Sequence, residues 1–358
     1  MITFRTLCHP ALPVLFSAIQ IWQCRADGCC QICTGGSSDA LHASSGDDPE
    51  HSRLRESCRV RIGILGNEGS WYGEDISRAA TERGHECLRV EFPLVSVSCG
   101  ELGHVGRKIV ACAEHDLTSF DAVIVRTMPP GSLEQVVFRM DALARLVAAG
   151  VTVVNSPRSM ECAVDKFLTT ARLEAAGLTV PATVTCQDSE AAMDAFIRLG
   201  GDVVVKPLFG AEGRGICRVS DPDLAFRTFR TLERTGAVLY LQEFIRHPGF
   251  DVRVLILDGQ ILGAMKRSST DDFRTNVSRS ARTETHPVTE VESETALVAA
   301  ETVGARICGI DLLYDETGRC FVIEANAVPG WKAFSRTNGI DVAGRLIASL
   351  ERGETTRS

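Results

Sequence analysis

Asp311, Glu324 and Asn326 are the residues of this chain whose types and spacing best suit a hard cation. Asp311 lies in the apolar run Ile307-Cys308-Gly309-Ile310-Asp311-Leu312-Leu313, and Glu324 and Asn326 close a second run, Phe321-Val322-Ile323-Glu324-Ala325-Asn326. Asp315-Glu316-Thr317-Gly318-Arg319 between them is turn material, so the two runs read as the strands of a hairpin. With Thr317 and Gly318 central in the turn, pairing sets Asp311 directly across from Glu324, and the two-residue strand period puts Asn326 on the same face. Like charges directly opposed destabilise a sheet, so something must compensate. A divalent cation bound by carboxylate and amide oxygens would do so, and Mg2+ keeps positions for water and phosphate. A solvated acidic edge is the plain alternative.

A second constellation lies upstream, where the β-branched run Val203-Val204-Val205 delivers Lys206 to Pro207-Leu208-Phe209-Gly210-Ala211-Glu212-Gly213-Arg214-Gly215. Gly210, Gly213 and Gly215 permit positive φ and close backbone approach, so successive N–H groups can form an anion-binding nest with Lys206 as a point charge for phosphate. No Gly-Lys-Ser/Thr follows, which excludes a Walker loop, and no helix-opening Gly-x-Gly-x-x-Gly leads to a ribose-binding acid.

These groups need elements to hold them. Between the lysine loop and the acidic hairpin lie Tyr240-Leu241-Gln242-Glu243-Phe244-Ile245, Asp251-Val252-Arg253-Val254-Leu255-Ile256-Leu257 and Gln260-Ile261-Leu262-Gly263-Ala264-Met265-Lys266-Arg267. Nearer the N-terminus, strand-like runs at 60–66, 122–126 and 151–155 alternate with helical stretches near 75–83 and 133–149, the pattern of a parallel α/β unit. Arg126 and Asn155-Ser156-Pro157 end two of those strands and are candidate substrate contacts. No Ser/His/Asp or Cys/His nucleophile arrangement is discernible.

A net charge of −8 argues against nonspecific nucleic-acid binding, which needs clustered Lys and Arg. No uninterrupted apolar run is long enough to span a membrane. Residues 1–57 differ from the rest, with Cys8, Cys24, Cys29, Cys30 and Cys33 and a Ser/Gly/Asp-rich stretch. They read as a disordered or wrongly extended leader, with a targeting segment or Cys29/Cys30/Cys33 metal binding as alternatives. The other cysteines suit reduced core thiols.

In order along the chain, Asp165-Lys166, Val205-Lys206, Gln242-Glu243-Phe244-Ile245, Asp251-x-Arg253, Lys266-Arg267, Asp272-Phe273-Arg274-x-Asn276, Gly309-x-Asp311 and Glu324-Ala325-Asn326 before Pro329-Gly330 resemble the RimK-type ATP-grasp amino-acid ligases. The resemblance implies an α/β (α+β) chain with a small parallel-sheet α/β domain over 59–158, an ATP-grasp domain over 159–350, an extension over 1–58 and a tail over 351–358. It further implies that Lys166, Lys206, Gly210, Gly213 and Gly215 hold ATP phosphates, that Gln242, Glu243 and the Phe244 backbone serve the nucleotide's adenine end, and that Asp251 lies near the ribose. Asp311, Glu324 and Asn326 would carry one or two Mg2+ ions, or Mn2+. Arg253, Arg267 and Arg274 would meet the carboxylate being activated and the transferring phosphoryl group, which guanidinium forks bind bidentately.

The chain departs from the family in Trp331 after Pro329-Gly330, and in Val277-Ser278-Arg279-Ser280-Ala281-Arg282 where a basic Gly-Gly step is usual. The implied reaction is ATP-dependent carboxylate–amine ligation through an acyl phosphate, with ATP, L-glutamate and a carboxylate acceptor as partners, in the cytoplasm, a homo-oligomer being left open. The 206–215 stretch looks closest to the branch that adds glutamate to tetrahydromethanopterin, a pterin. A non-catalytic ATP-binding scaffold on the same fold, or a ligase for another amine such as D-alanine, are the rivals.

Overall fold

The computed structural model describes residues 59–100, 109–210, 213–269 and 282–353, all within one compact unit. The expected leader and its cysteines, Glu212, Arg274 and Asn276 lie outside the described residues.

The chain opens as a parallel α/β unit. Strand β1 (Arg61–Leu65) leads through Gly66–Ser70 into helix α1 (Trp71–Glu82), and β2 (Glu86–Val90) follows. Three short strands, β3 (Val95–Val97), β4 (Val110–Cys112) and β5 (His115–Asp116), form a small antiparallel sheet absent from the sequence expectation. Then come β6 (Ala122–Val125), α2 (Leu133–Ala148), β7 (Thr152–Val154) and α3 (Pro157–Val164). The main sheet has the order β2-β1-β6-β7, all parallel, as the alternation of apolar strands and amphipathic helices foretells. A Ser132–Gln135 capping box starts α2, and Ser156 with Pro157 starts α3.

Two antiparallel sheets follow. Helix α4 (Lys166–Ala175) precedes a four-stranded sheet of β8 (Thr183–Cys186), β9 (Val203–Lys206), β10 (Cys217–Val219) and β11 (Leu239–Glu243), in the order β10-β9-β11-β8. Its outer face is covered by α5 (Ser189–Arg198) and α6 (Pro222–Arg234), whose Ala192, Phe196, Ala225 and Phe229 pack on Val203, Val205 and Leu241. The second sheet holds β12 (Phe250–Leu257), β13 (Gln260–Ser268), β14 (Arg282–His286), β15 (Ile307–Tyr314) and β16 (Cys320–Asn326), in the order β14-β13-β12-β15-β16. Helix α7 (Glu290–Val303) lies against one face of this sheet, burying Val252, Val254, Ile310 and Leu312 with Ala296, Ala299 and Val303. Helices α8 (Lys332–Asn338) and α9 (Val342–Glu351) complete the chain. A single apolar cluster joins Ile62, Ile76 and Ile124 of the parallel unit to Leu255, Met265, Phe334 and Leu346, so both parts share one core.

Asp311 does pair with Glu324, but by another route than the expected two-residue turn. The carboxylate of Asp315 accepts from Thr317 N (2.8 Å), Thr317 Oγ1 (2.7 Å) and Arg319 N (2.9 Å), which closes a five-residue loop and makes Tyr314 pair with Cys320. That start is one step out of the expected register. A bulge between Asp311 and Leu312, opposite Ile323, takes up the difference. Val322 stays in the core, while Ile323 and Glu324 both line a cleft.

Candidate active site

The two antiparallel sheets face each other across a cleft enclosing about 1130 Å³ of open space. Lys166, Lys206, Gly210, Gly213, Gln242, Glu243, Phe244, Asp251, Asp311 and Glu324, ten of the residues singled out by the sequence, line it. Asp311 and Glu324 come from β15 and β16, and Asn326, paired with Gly309 two residues further along, falls on their face.

The positive side of the cleft is built by local rules. Asp165 caps α4, accepting from Leu168 N at 2.9 Å, and this places Lys166 in the first turn, where its ammonium donates to the Gly210 carbonyl at 2.9 Å. Lys206 ends β9 and donates to Gln242 Oε1 at 2.6 Å. Burial lowers the affinity of both lysines for their protons, that of Lys206 to about 8, against the attraction of Glu324. Gln242 is itself buried, and its amide nitrogen donates to Thr183 Oγ1 and Tyr240 Oη, each at 3.1 Å. The Tyr240 hydroxyl in turn meets Thr170 Oγ1 at 2.9 Å. This chain fixes which way the Gln242 amide faces, and therefore where the Lys206 ammonium sits. Gly215 has φ +73°, and a Cβ there would lie 2.8 Å from Pro207 Cγ, so the end of the loop folds back over Pro207 only with glycine.

The negative side is a ladder of charge across three adjacent strand pairs. Register sets Arg267 opposite Asp251, Arg253 opposite Asp311, and Asp311 opposite Glu324. Arg253 grips Asp311 with two bonds of 2.6 Å, and Arg267 donates to Asp251 at 2.6 and 2.5 Å while reaching Asp311 at 2.9 Å. Both guanidinium groups therefore already engage carboxylates, and Arg267 is only 1 % exposed. Asp251, expected beside a ribose, is the fork partner of Arg267. The like-charge opposition of Asp311 and Glu324 is thus relieved from behind by arginine, which the sequence argument did not foresee. Burial opposes ionisation of Asp311, but the two arginines prevail and hold it at about 2. Gly309 leaves the room this requires, since a Cβ there would stand 3.1 Å from Pro329 Cβ and 3.7 Å from Arg253 Cδ.

The donor set fits Mg2+. The Glu324 carboxylate makes no hydrogen bond among the described residues, although it is half-buried in the cleft, and Asn326 Oδ1 accepts from Val328 N at 2.9 Å. Two carboxylates and an amide give hard oxygens opposite two lysines, the setting of a metal–phosphate site. No group of three or more His, Cys, Asp or Glu suited to a metal exists among the described residues.

At the other end of the cleft, Glu243 accepts from Ala182 N at 2.9 Å, the Phe244 amide donates to the Asp202 carbonyl at 3.0 Å, and the Arg218 guanidinium lies 3.6 Å from the Phe244 ring centre. Asn155, a candidate substrate contact by sequence, instead bonds the backbone: its amide nitrogen donates to the carbonyls of Ile307 and Ala327, and its oxygen accepts from Ile307 N at 3.0 Å. It anchors the start of β15 and the exit of β16. Trp331, the departure after Pro-Gly, is fully buried, donates to Asp75 at 2.9 Å and meets Tyr72 edge-on, fastening α1 to this exit. Thr170, Thr183 and Tyr240 escaped the sequence reading, because a threonine or tyrosine within a strand or helix carries no local signal of the hydroxyl it meets from another element.

The family model for the RimK-like ATP-grasp domain matches residues 163–350. The tetrahydromethanopterin:alpha-L-glutamate ligase of Methanosarcina acetivorans is 32% identical over 321 residues, covering 81% of this chain and 98% of that protein. The ribosomal protein bS6–L-glutamate ligase of Escherichia fergusonii is 30% identical over 305 residues, covering 83% and 97%. Among solved structures, the ATP-grasp ligase PsnB complexed with minimal precursor, Mg and ADP shares the fold, with a TM-score of 0.64 at 24% identity over 81% of this chain and 96% of that one. No helix among the described residues is long and apolar enough to cross a membrane.

Proposed function

The chain belongs to the RimK-like ATP-grasp family and is an ATP-dependent carboxylate–amine ligase, and from that premise we propose that it joins the amine of L-glutamate to a carboxylate of a pterin-type acceptor. The observation that carries the reading is the cleft in which Lys166, Lys206 and the Gln242 network oppose Asp311 and Glu324, with Asn326 on the same strand face. In this reading Lys166 and Lys206 hold the ATP phosphates, and Gly210, Gly213 and Gly215 let the loop approach them. Glu243 and Phe244 mark the adenine end. Asp311, Glu324 and Asn326 hold Mg2+, which when bound offsets charge on the phosphate oxygens.

The acceptor carboxylate attacks the γ-phosphorus, the bond to ADP breaks, and an acyl phosphate results. The amine then adds to the acyl carbon, loses a proton, and expels inorganic phosphate to leave an amide. The protein's part is positioning and electrostatics. Arg253 and Arg267 act as positioning residues, keeping Asp311 ionised and aimed, rather than as substrate forks. The pterin acceptor is favoured over a ribosomal-protein tail by identity, 32% to the tetrahydromethanopterin ligase against 30% to the ribosomal-protein ligase, both of which match along almost their whole length. Purified protein with ATP, Mg2+ and L-glutamate should release ADP when given a tetrahydromethanopterin-type acceptor, whose mass rises by one glutamyl residue. Modification of a glutamate-ending ribosomal-protein peptide instead would move the acceptor to the other branch, and no ADP with either would defeat the reading.

A further inference from the structure

A second cleft opens at the carboxyl ends of β1, β2 and β6. From β1 the sheet extends one way to β2 and the other way to β6, so this is the crevice where the strand order reverses, the usual seat of a ligand in an open parallel sheet. Its wall includes the first turn of the twelve-residue helix α1, whose cap residue Ser70 makes no side-chain bond to the helix. Unbonded N–H groups and the helix dipole favour an anion there.

An independent observation points to the same ligand chemistry. Arg126, at the end of β6, lines this cleft and is only 7 % exposed, yet no acidic side chain bonds it among the described residues. Its Nη2 donates to the Pro329 carbonyl at 2.8 Å, its Nε is buried without a partner, and its guanidinium lies beside the edge-on pair of Trp331 (4.1 Å) and Tyr72 (4.8 Å). Burial draws its pKa down to about 10. A buried cation of this kind is costly unless an anion joins it. The nearest acids on the cleft wall, Glu68 and Glu91, are exposed, and Arg89 beside them already pairs with Glu74 at 2.6 Å. The lining therefore has both signs, with the positive charge deep and the negative charges at the rim.

We infer that this second cleft seats the amine substrate, Arg126 and the α1 N-terminus receiving the α-carboxylate of an amino acid. The acceptor carboxylate must meet the γ-phosphate in the first cleft and the amine must reach the acyl phosphate formed there, so what a second cleft can hold is the non-reacting α-carboxylate end of the amine substrate. Pro329, touched by Arg126, stands three residues beyond Asn326, so one short segment of chain joins the second cleft to the metal face. The assignment of the reactant rests on the ligase reading, while the binding of an α-carboxylate does not.

Arg126→Met and Arg126→Lys, with melting curves to confirm folding, are compared with wild type using L-glutamate and its α-amide. The expected result for Arg126→Met is a rise in KM for L-glutamate of roughly 100-fold, as for loss of one member of a buried charge pair, with KM for ATP within about twofold. Wild type should prefer L-glutamate to the α-amide, Arg126→Met should lose that preference, and Arg126→Lys should recover part of it. Calorimetric titration of the full chain with each standard α-amino acid and its α-amide, without ATP, gives a reading independent of turnover. An α-carboxylate-dependent binder lost in Arg126→Met upholds the cleft even if no ligation occurs. Ligation with an unchanged preference, equal rises in both KM values, or no amino acid bound at all would overturn it and leave Arg126 as a clamp between α1 and Pro329.

Discussion

Replacing Lys206 with methionine removes one charge while nearly keeping the volume of the side chain, and its consequences can be worked through in numbers. Burial lowers the Lys206 pKa from 10.5 to about 8. Because the folded value lies below the unfolded one, the unfolded chain holds the proton more firmly, and stability attributable to this group rises with pH between about 8 and 10.5. Below about pH 8 its cost is fully present. That difference corresponds to at most about 3 kcal/mol, and partial solvent access reduces it. The ATP-free Lys206→Met protein should accordingly be no less stable than wild type at pH 7, and less dependent on alkaline pH. A triphosphate at Lys206 restores the proton's affinity, so ATP binding at pH 8 should draw in about half a proton per site, and about a tenth at pH 7. Calorimetric titration with Mg-ATP in buffers of different ionisation enthalpy measures this uptake. It should vanish in Lys206→Met, together with turnover. Equal proton uptake in variant and wild type would refute the placement of phosphate at Lys206.

Glu324→Gln keeps shape but removes a metal-binding charge, so ADP release should fall by roughly 100-fold or more, while the thermal midpoint should not fall because the charge opposition with Asp311 is lifted; near-normal turnover would remove Glu324 from the metal set. Arg267→Met takes the guanidinium fork from buried Asp251 and leaves Asp311 with Arg253 alone, and urea unfolding at pH 7 should show a loss of about 3–5 kcal/mol. In wild type the stability from Asp311 is present above the ordinary carboxylate range and lost as pH falls through about 2; in Arg267→Met that acid loss should begin at a higher pH, followed by far-UV circular dichroism. Trp331→Phe leaves Asp75 without its indole donor, and chemical denaturation should report a loss of about 1–3 kcal/mol, a neutral effect arguing against the fastening of α1.

The elements that hold the site were legible because their signals are local. Alternation in 307–326 gave the hairpin and the shared face of Asp311, Glu324 and Asn326, and the β-branched run into a glycine turn gave Lys206 its place. The parallel unit followed from apolar strands separated by amphipathic helices. What stayed hidden depends on strand order. Period two says that Asp251 and Arg253 share a face, but only the order β13-β12-β15 makes Arg267 and Asp311 their neighbours and turns expected ligand contacts into a carboxylate support. The roles of Trp331 and Asn155 depend on contacts some 150 to 260 residues apart in sequence, for which a single chain offers no signal.

The bulge at Ile323 divides the acidic hairpin into two frames of pairing that need not move together. Sliding the tip by one residue would trade the five-residue loop for a two-residue turn and swing Val322 out of the core, yet Asp311 would still face Glu324. The tip beyond Asp315 can therefore vary, its frame set by Val322 and by the Asp315 carboxylate, while the cation-facing end keeps its geometry. Changes that accumulate around 315–319 are insulated from the chemistry less than ten residues away.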